Sequence, residues 1–405
     1  MNYKEALDKL NSCKQEHVLK YYNELSDEAQ KNLLSQIEKL DLSLLKCFGQ
    51  ENISEKRGNF KPLGAVTINE VKERYDEFSK AGIKAIRNGK VAAVLLAGGQ
   101  GTRLGFEHPK GMFNIGINKE LYIFECLINN IKSTAERAGA WIPLYIMTSE
   151  TNNAETVQFF EEHNYFGYNK DYVTFFVQDM AFAVDENGKI ILEEKDKIFL
   201  SPNGNGGWFS SIAKAGLLEE IKNKGIEWIN VFAVDNVLQQ IADPAFIGSV
   251  ICSECESGGK VVSKASPNEK VGVLCLENDK PSIVEYYEMT DDMIHRLEPD
   301  GSLSYRYGVI LNYLFRTDKL EQIMNNKMPV HIVKKKVNCL DESGNTVNKE
   351  VFKFETLVLD MIHMQKSCLP YEVERNHEFA PVKNAEGVDS VDTARNLLIE
   401  NGIEI

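Results

Sequence analysis

Two cations stand beside a run of glycines in this chain. Gly98-Gly99-Gln100-Gly101-Thr102-Arg103-Leu104-Gly105 is followed closely by Pro109-Lys110-Gly111-Met112. Glycine backbone lets N–H groups approach a ligand without Cβ atoms in the way. Arg103 and Lys110 add positive charge at the same place. In a chain of formal net charge −14, two cations beside bare amides point to a phosphorylated ligand. The spacing is not that of a dinucleotide loop, because no helix begins at the last glycine. It is not a Walker loop either, because no Gly-Lys-Ser/Thr ends it. A second cluster, Pro202-Asn203-Gly204-Asn205-Gly206-Gly207, directly precedes a helical pattern. Amides bared by glycine at a helix start suit a polar ligand, although a solvated loop would read the same way. Asp235 follows a mostly apolar run over residues 228–234. A carboxylate at the end of a central strand sits where open α/β sheets bind ligands. Beside phosphates it suits Mg²⁺, which is usually held by one or two carboxylates plus those phosphates. The alternative for Asp235 is an N-cap for the segment from Ala242-Asp243-Pro244 onward.

The string A-G-G-Q-G-T-R-L-G over residues 97–105, with P-K-G-M behind it, resembles the signature of the eukaryotic-type UDP-N-acetylhexosamine pyrophosphorylases. Residues 202–207 are similar to that family's P-[DN]-G-N-G-G element, and Val234-Asp235-Asn236 to its V-D-N. Residues 260–264, 271–275 and 284–286 resemble its K-V-V-x-K, V-G-V-L-C and V-E-Y stretches. Lys353-Phe354-Glu355 resembles a further family position, and residues 379–385 its F-[SA]-P-[LV]-K-N-A. Gly308-Val309-Ile310-Leu311-Asn312-Tyr313 stands where the family has G-N-I-x-N-H. Val309 replaces the asparagine and Tyr313 the histidine. That weakens the carry-over of sugar contacts there, with Asn312 as the compensating amide. The likeness spans residues 60–395.

The resemblance implies a uridylyltransferase that makes UDP-N-acetylglucosamine and pyrophosphate from UTP and N-acetylglucosamine 1-phosphate, with Mg²⁺ (or Mn²⁺) held at Asp235. It implies that backbone groups of Leu96, Ala97, Gly98 and Gly99 and the amide of Gln178 read the base. Gly204, Asn205, Gly206, Glu285 and Asn312 would take the sugar side, Lys353 would bind substrate, and Lys383 would reach the phosphates. A glutamate in an apolar strand is costly to bury unpaired, which supports a role for Glu285; a surface ion pair at a sheet edge is the alternative. The reaction needs no activated nucleophile, because a sugar 1-phosphate is already anionic. Catalysis is then positioning plus electrostatics. Arg103 would hold the pyrophosphate portion of UTP, while Lys110 and Lys383 neutralise the α-phosphate and the incoming sugar phosphate. Two other readings stand: a UDP-glucose or broad UDP-sugar pyrophosphorylase of the same fold, and a nucleotide-sugar-binding regulator without turnover. Gln100 and Thr102 favour the N-acetyl enzyme, and intact Arg103, Lys110 and Asp235 argue against a regulator.

The elements that must hold these residues alternate. The apolar run 91–97 reads as a strand buried on both faces. Helix-period patterns cover 121–138 and 152–162, and strands are expected at 141–148, 172–178 and 228–236. This alternation predicts a doubly wound, mixed, mostly parallel α/β sheet of Rossmann-like nucleotidyltransferase type. Asn187-Gly188 marks a hairpin within 182–193. One helix each is expected over 69–88 and 208–224. Further strands follow in the second half, then a hairpin turning at Ser343-Gly344-Asn345, a helix over 353–364 and a last helix over 392–401. The domain expectation is a helical N-terminal region at 1–60 with a polar linker over 49–64, a catalytic domain at 61–378 and a reduced C-terminal segment at 379–405.

Composition narrows the partners. The 405 residues are 43% hydrophobic and 26% charged, ordinary for a globular protein. The acidic balance argues against nucleic acid and anionic membranes as partners. No window reaches the ~18 apolar residues of a membrane span. The eight cysteines are scattered, and Cys252-x-x-Cys255 lacks a second pair, so reduced thiols and a cytoplasmic location are expected. With no apolar stripe left over beyond helical core faces, an active monomer is expected.

Overall fold

Val91–Leu96 is buried at every residue, which a strand achieves only with strands on both sides and layers on both faces. The computed structural model describes residues 1–48, 57–324, 326 and 328–405. The linker expected over 49–64 therefore lies, for residues 49–56, outside the described residues. The chain gathers into two compact units. One comprises Met1–Arg57, Asp179–Gly207 and Met328–Val358; the other comprises Gly58–Gln178, Trp208–Lys327 and Leu359–Ile405.

The second unit is built on Val91–Leu96. Among the described residues this strand belongs to a ten-stranded mixed sheet. It pairs in parallel with Leu144–Thr148 on one side and Trp228–Ala233 on the other. Val173–Val177 continues the parallel run beyond Leu144–Thr148. The second and third strands are thus laid to one side of the first, and the fourth to the other. The order reverses between Val91–Leu96 and Trp228–Ala233, and the crevice outside the carboxyl ends at such a reversal is where open α/β sheets bind ligands. Beyond Trp228–Ala233 the sheet turns antiparallel through Tyr307–Arg316, which carries Ser257–Ser263 and Val273–Glu277. Ile123–Ala138 covers the sheet with Phe124, Leu127, Ile128 and Ile131 buried, and stops at Gly139, where φ is +65°. That start and stop follow the expected helix. Tyr75–Arg87 and Pro244–Cys252 cross at two glycines: a Cβ on Gly82 would lie 1.9 Å from the Pro244 carbonyl oxygen, and one on Gly248 1.8 Å from that of Phe78.

The first unit explains why the N-terminal helices are not a separate region. Leu10, Leu33 and Ile37, from Tyr3–Asn11 and Asp27–Lys39, share a core with Phe182, Val184 and Phe354. Those residues come from a four-stranded sheet in the order His331–Leu340, Thr346–Glu355, Met180–Val184, Leu200–Pro202. A core assembled from three distant stretches leaves no mark in a linear reading. The Asn187-Gly188 turn is present, with Gly188 at φ +73° and Asp185 bonded to Lys189.

Three elements differ from expectation. The helix over 69–88 is two, Ile68–Glu73 and Tyr75–Arg87, broken at Arg74 (φ −108°, ψ 15°). The helix over 208–224 is also two, Trp208–Lys214 and Leu217–Asn223, because Gly216 takes φ +76°. Residues 353–355 continue the hairpin strand Thr346–Glu355, whose Val351, Phe352 and Phe354 are β-formers, and helix begins only at Val358–His363.

Candidate active site

Because the four central strands are parallel, their carboxyl ends share one edge of the sheet. The first strand runs into the glycine loop. Asn152, wholly buried, holds the loop's origin: its Nδ2 donates to the Ala97 carbonyl at 3.0 Å, while its Oδ1 accepts from the Ser149 amide at 2.7 Å. The loop then closes on itself, the Lys110 amide donating to the Gly99 carbonyl (3.1 Å) and the Gly101 amide to that of His108 (2.9 Å). Nothing lies within 4 Å of a Cβ built on Gly99, an exposed residue, so that side of the loop is open. Gln178 follows the third parallel strand directly, and a Cβ on Gly98 would meet its Nε2 at 2.5 Å. Glycine at 98 is what allows the buried Gln178 amide to rest on the loop. The structure thus unites two of the residues expected to read the base.

The cations gather as well. Lys110 sits in a short 3₁₀ turn, Lys110–Met112. Burial pushes its ammonium below the ordinary lysine value of 10.5; the Asp235 carboxylate pulls it back up, and the charges of Lys383 and Arg103 push it further down. Three of the expected residues therefore act on Lys110 electrostatically. Arg103 is exposed on the turn Thr102–Leu104. Asp235 lies two residues past Trp228–Ala233. It is not an N-cap, because Asp243 takes that role for Pro244–Cys252, accepting from the Ala245 amide at 3.0 Å. Lys383 arrives from far along the chain: the Val382 amide donates to the Asp235 carbonyl at 2.8 Å. Its Nζ meets Asp389 Oδ2 at 3.1 Å.

Other expected residues are placed differently. Asn312 is wholly buried and spends its amide on the protein, accepting from Asn230 Nδ2 (2.7 Å) and donating to Gln239 Oε1 and the Gln240 carbonyl (3.3 Å each). It is a sheet-locking residue and does not stand in for the missing asparagine at Val309. Glu285 lies one residue past the strand Lys280–Val284 rather than within it, half-buried, with its Oε1 3.4 Å from a Cβ built on Gly272.

In the first unit, Gly204 and Gly206 are glycine for the loop's own packing. A Cβ on Gly204, already at φ +88°, would lie 2.2 Å from the Thr356 carbonyl oxygen, and one on Gly206 2.6 Å from the Leu357 carbonyl carbon. The space a side chain would occupy at these two positions is filled by backbone. Asn205 Oδ1 accepts from the Val358 amide at 2.9 Å. Lys353 is buried at 7% exposure, 3.7 Å from Glu355. Burial lowers its pKa, Glu355 raises it and Lys335 lowers it again. Lys334 pairs instead with Glu350 at 3.5 Å.

Asn152 has no signal in the sequence, and Asn236 appears there only as the last residue of the V-D-N stretch, without a role. Asn236 is buried, its Nδ2 donating to the Glu378 carbonyl (2.7 Å) and its Oδ1 accepting from the Ala380 amide (2.9 Å). Its place right after Asp235 is the signal that could have found it. All eight cysteines are free thiols, Cys252 exposed and Cys255 half-buried.

A family profile described as UTP–glucose-1-phosphate uridylyltransferase matches residues 38–399. The chain is 35% identical to human "UDP-N-acetylhexosamine pyrophosphorylase-like protein 1" over 422 residues, covering 96% of this chain and 83% of that protein. It is 33% identical to "UDP-N-acetylglucosamine pyrophosphorylase" of Saccharomyces cerevisiae, covering 96% of this chain and 88% of that one. The crystal structure of the uridine diphosphate N-acetylglucosamine pyrophosphorylase of Trypanosoma brucei, in complex with an inhibitor, superposes at a TM-score of 0.85. It has 28% identity and covers 98% of this chain and 84% of that one. With a profile match over most of its length and relatives at 33–35% identity along nearly the whole chain, this chain belongs to the UTP–glucose-1-phosphate uridylyltransferase family.

Proposed function

We propose that the chain makes UDP-N-acetylglucosamine and pyrophosphate from UTP and N-acetylglucosamine 1-phosphate. The observation that carries this reading is that Lys110, in the glycine loop that follows the first parallel strand, feels the charges of Asp235, Lys383 and Arg103. A phosphate oxygen of the sugar 1-phosphate attacks the α-phosphorus of UTP, and the bond from that phosphorus to the pyrophosphate oxygen breaks. No proton has to move, so no base is required. The obstacle is repulsion between anions and charge building on the leaving group. Lys110 and Lys383 screen the first, and Arg103 holds the second. The open side of the loop at Gly99 and the Gln178 amide, which can both donate and accept, take the uracil edge. By the family likeness Glu285 binds the sugar.

Asp235 is the residue to hold Mg²⁺. Among the described residues no group of three or more histidines, cysteines or carboxylates could hold a metal ion. A single carboxylate fits Mg²⁺, which keeps water and borrows phosphate oxygens, rather than a metal that needs a protein cage. Bound there, the ion would supply charge neutralisation across the phosphates. Asp235→Asn keeps the shape and removes the charge. Half-maximal rate should then require more Mg²⁺, and an unchanged Mg²⁺ titration would move the metal elsewhere.

Substrate choice is tested by measuring kcat/KM for three sugar 1-phosphates at fixed UTP and Mg²⁺. N-acetylglucosamine 1-phosphate should be first, N-acetylgalactosamine 1-phosphate weaker, and glucose 1-phosphate poorest. Lost acetyl contacts should cost glucose ~10–200-fold. A higher value for glucose 1-phosphate would promote the UDP-glucose reading, and no pyrophosphate release with any of the three would leave a nucleotide-sugar-binding regulator. The chain should work as a monomer, since its exposed large apolar side chains among the described residues, such as Ile117, Tyr287, Leu297 and Val388, are scattered along the sequence. A dimer that persists on dilution in sedimentation velocity would overturn this. No helix among the described residues is long and apolar enough to cross a membrane.

A further inference from the structure

Lys260 has no exposed surface, yet it is a lysine on a sheet strand, Ser257–Ser263. Its Nζ meets Glu378 Oε2 at 2.5 Å and Asp243 Oδ2 at 3.1 Å, and donates to the Gln240 carbonyl at 3.2 Å. The same Glu378 oxygen accepts the Gln240 amide at 3.1 Å. Three charges taken out of water are a poor route to stability, because desolvation can exceed the Coulomb gain and well-packed apolar residues often serve as well. Their value is then positional, and what they position can be read from the chain. Gln240 and Asp243 lie in the loop that carries Asp235, and Glu378 lies five residues before Lys383.

We propose that Lys260, Glu378 and Asn236 form a latch of positioning residues that sets Lys383 beside Asp235. The latch closes in steps along the chain. Lys260 draws the Glu378 carboxylate onto the loop after Trp228–Ala233. Asn236 then grips the Glu378 carbonyl and the Ala380 amide on either side of Phe379. The Val237 amide donates to the Ala380 carbonyl (3.3 Å) and the Val382 amide to the Asp235 carbonyl (2.8 Å). Lys383 is the next residue. The stretch from the end of the short helix Arg375–Glu378, with Pro381 bridged antiparallel to Asn236, thereby acquires a fixed register against the strand end. Burial, with Asp243 beside it, raises the Glu378 carboxyl above its ordinary range, while the two carboxylates hold the Lys260 ammonium above its own. This pattern matches an ion cluster whose lysine is fully buried and whose carboxylates are largely withdrawn from solvent.

The inference rests on the proposed role of Lys383, so the test separates the two. Steady-state kinetics are compared for Lys383→Ala, Asn236→Ala, Glu378→Gln and the doubles Asn236→Ala/Lys383→Ala and Glu378→Gln/Lys383→Ala, with unfolding midpoints measured alongside. Lys383→Ala should lower kcat by ~10²–10³-fold. Asn236→Ala and Glu378→Gln should each lower kcat by ~10–100-fold, as a lysine misplaced by about an ångström would. In the Lys383→Ala background, adding either change should lower kcat by less than about twofold, because the latch then has nothing left to position. Lys260→Met, which leaves two carboxylates facing each other, should behave like Glu378→Gln. If Lys383→Ala retains wild-type kcat, the role of Lys383 is wrong. If Lys383→Ala is impaired but the doubles lose activity multiplicatively, or Glu378→Gln keeps full kcat, the latch is wrong and the cluster is structural. Glu378→Gln is nearly isosteric, so it keeps the test open should Asn236→Ala fold poorly.

Discussion

Lys110→Ala lowers kcat by ~10²–10³-fold, the loss typical of removing one donor aimed at charge that develops in the transition state. The ammonium is desolvated and shares its surroundings with two other cations and one carboxylate, where a charge acts more strongly than in water. Its pKa lies below the lysine value of 10.5, which gives the prediction a pH signature. Only the charged form screens phosphate, so kcat/KM for UTP should decline on the alkaline side before an ordinary lysine would titrate. Lys110→Arg, charged throughout that range, should move the alkaline limb upward even if its maximum is lower. A limb that stays in place would assign it to another group.

The same shift sets the sign of a stability effect. Between the lowered folded pKa and 10.5, the unfolded chain binds more protons at this lysine than the folded protein does. Stability attributable to Lys110 therefore rises with pH through that window, and below it the charged lysine is destabilising. Lys110→Met should accordingly unfold at a higher denaturant midpoint than wild type at neutral pH, with the gain shrinking as pH rises toward 10.5. A site that gives up stability to hold a charge is a common trade between activity and stability.

What could be read in the sequence was what is local. Val91–Leu96 announced itself as an apolar run, and Gly139 as a stop, because burial on two faces and a left-handed cap each dictate residue type within a few positions. The glycine loop was legible for the same reason: Gly98 must be glycine for Gln178 to lie on it. The misreadings share a cause. Gly204 and Gly206 read as backbone bared for a ligand, whereas a Cβ at either would run into Thr356 or Leu357, some 150 positions away in the chain. Asn312 read as a sugar contact, yet its amide is claimed by Asn230 and Gln239 across the sheet. Lys260 and Asn236 stood in the K-V-V-x-K and V-D-N stretches with no role readable from them, and Glu378 carried no motif, since a buried lysine looks the same in sequence as a solvated one. The N-terminal helices read as a region of their own because the strands they pack against lie in residues 179–207 and 328–358.

Arg103→Ala should separate catalysis from product binding. Arg103 sits on the turn Thr102–Leu104, which ends at Gly105 with φ +69°. Its side chain is exposed, yet its charge is felt at Lys110. A guanidinium there can close on the β- and γ-phosphates of UTP as a planar fork, a geometry suited to phosphate oxygens. UDP-N-acetylglucosamine has no γ-phosphate, and its β-phosphate belongs to the sugar. Ground-state binding of the product therefore makes no use of a group aimed at pyrophosphate. Loss of Arg103 should lower forward kcat by ~10²–10³-fold while the Kd for UDP-N-acetylglucosamine stays within a few-fold. In the reverse reaction, KM for pyrophosphate should rise. Arg103→Lys should recover only part of the loss, because a single ammonium does not reproduce the two-pronged contact. Titration calorimetry with UDP-N-acetylglucosamine and with pyrophosphate, beside forward and reverse kinetics, supplies both readouts. If Arg103→Ala weakens both ligands equally and leaves kcat near wild type, Arg103 acts in binding generally and the leaving group must be held by another residue.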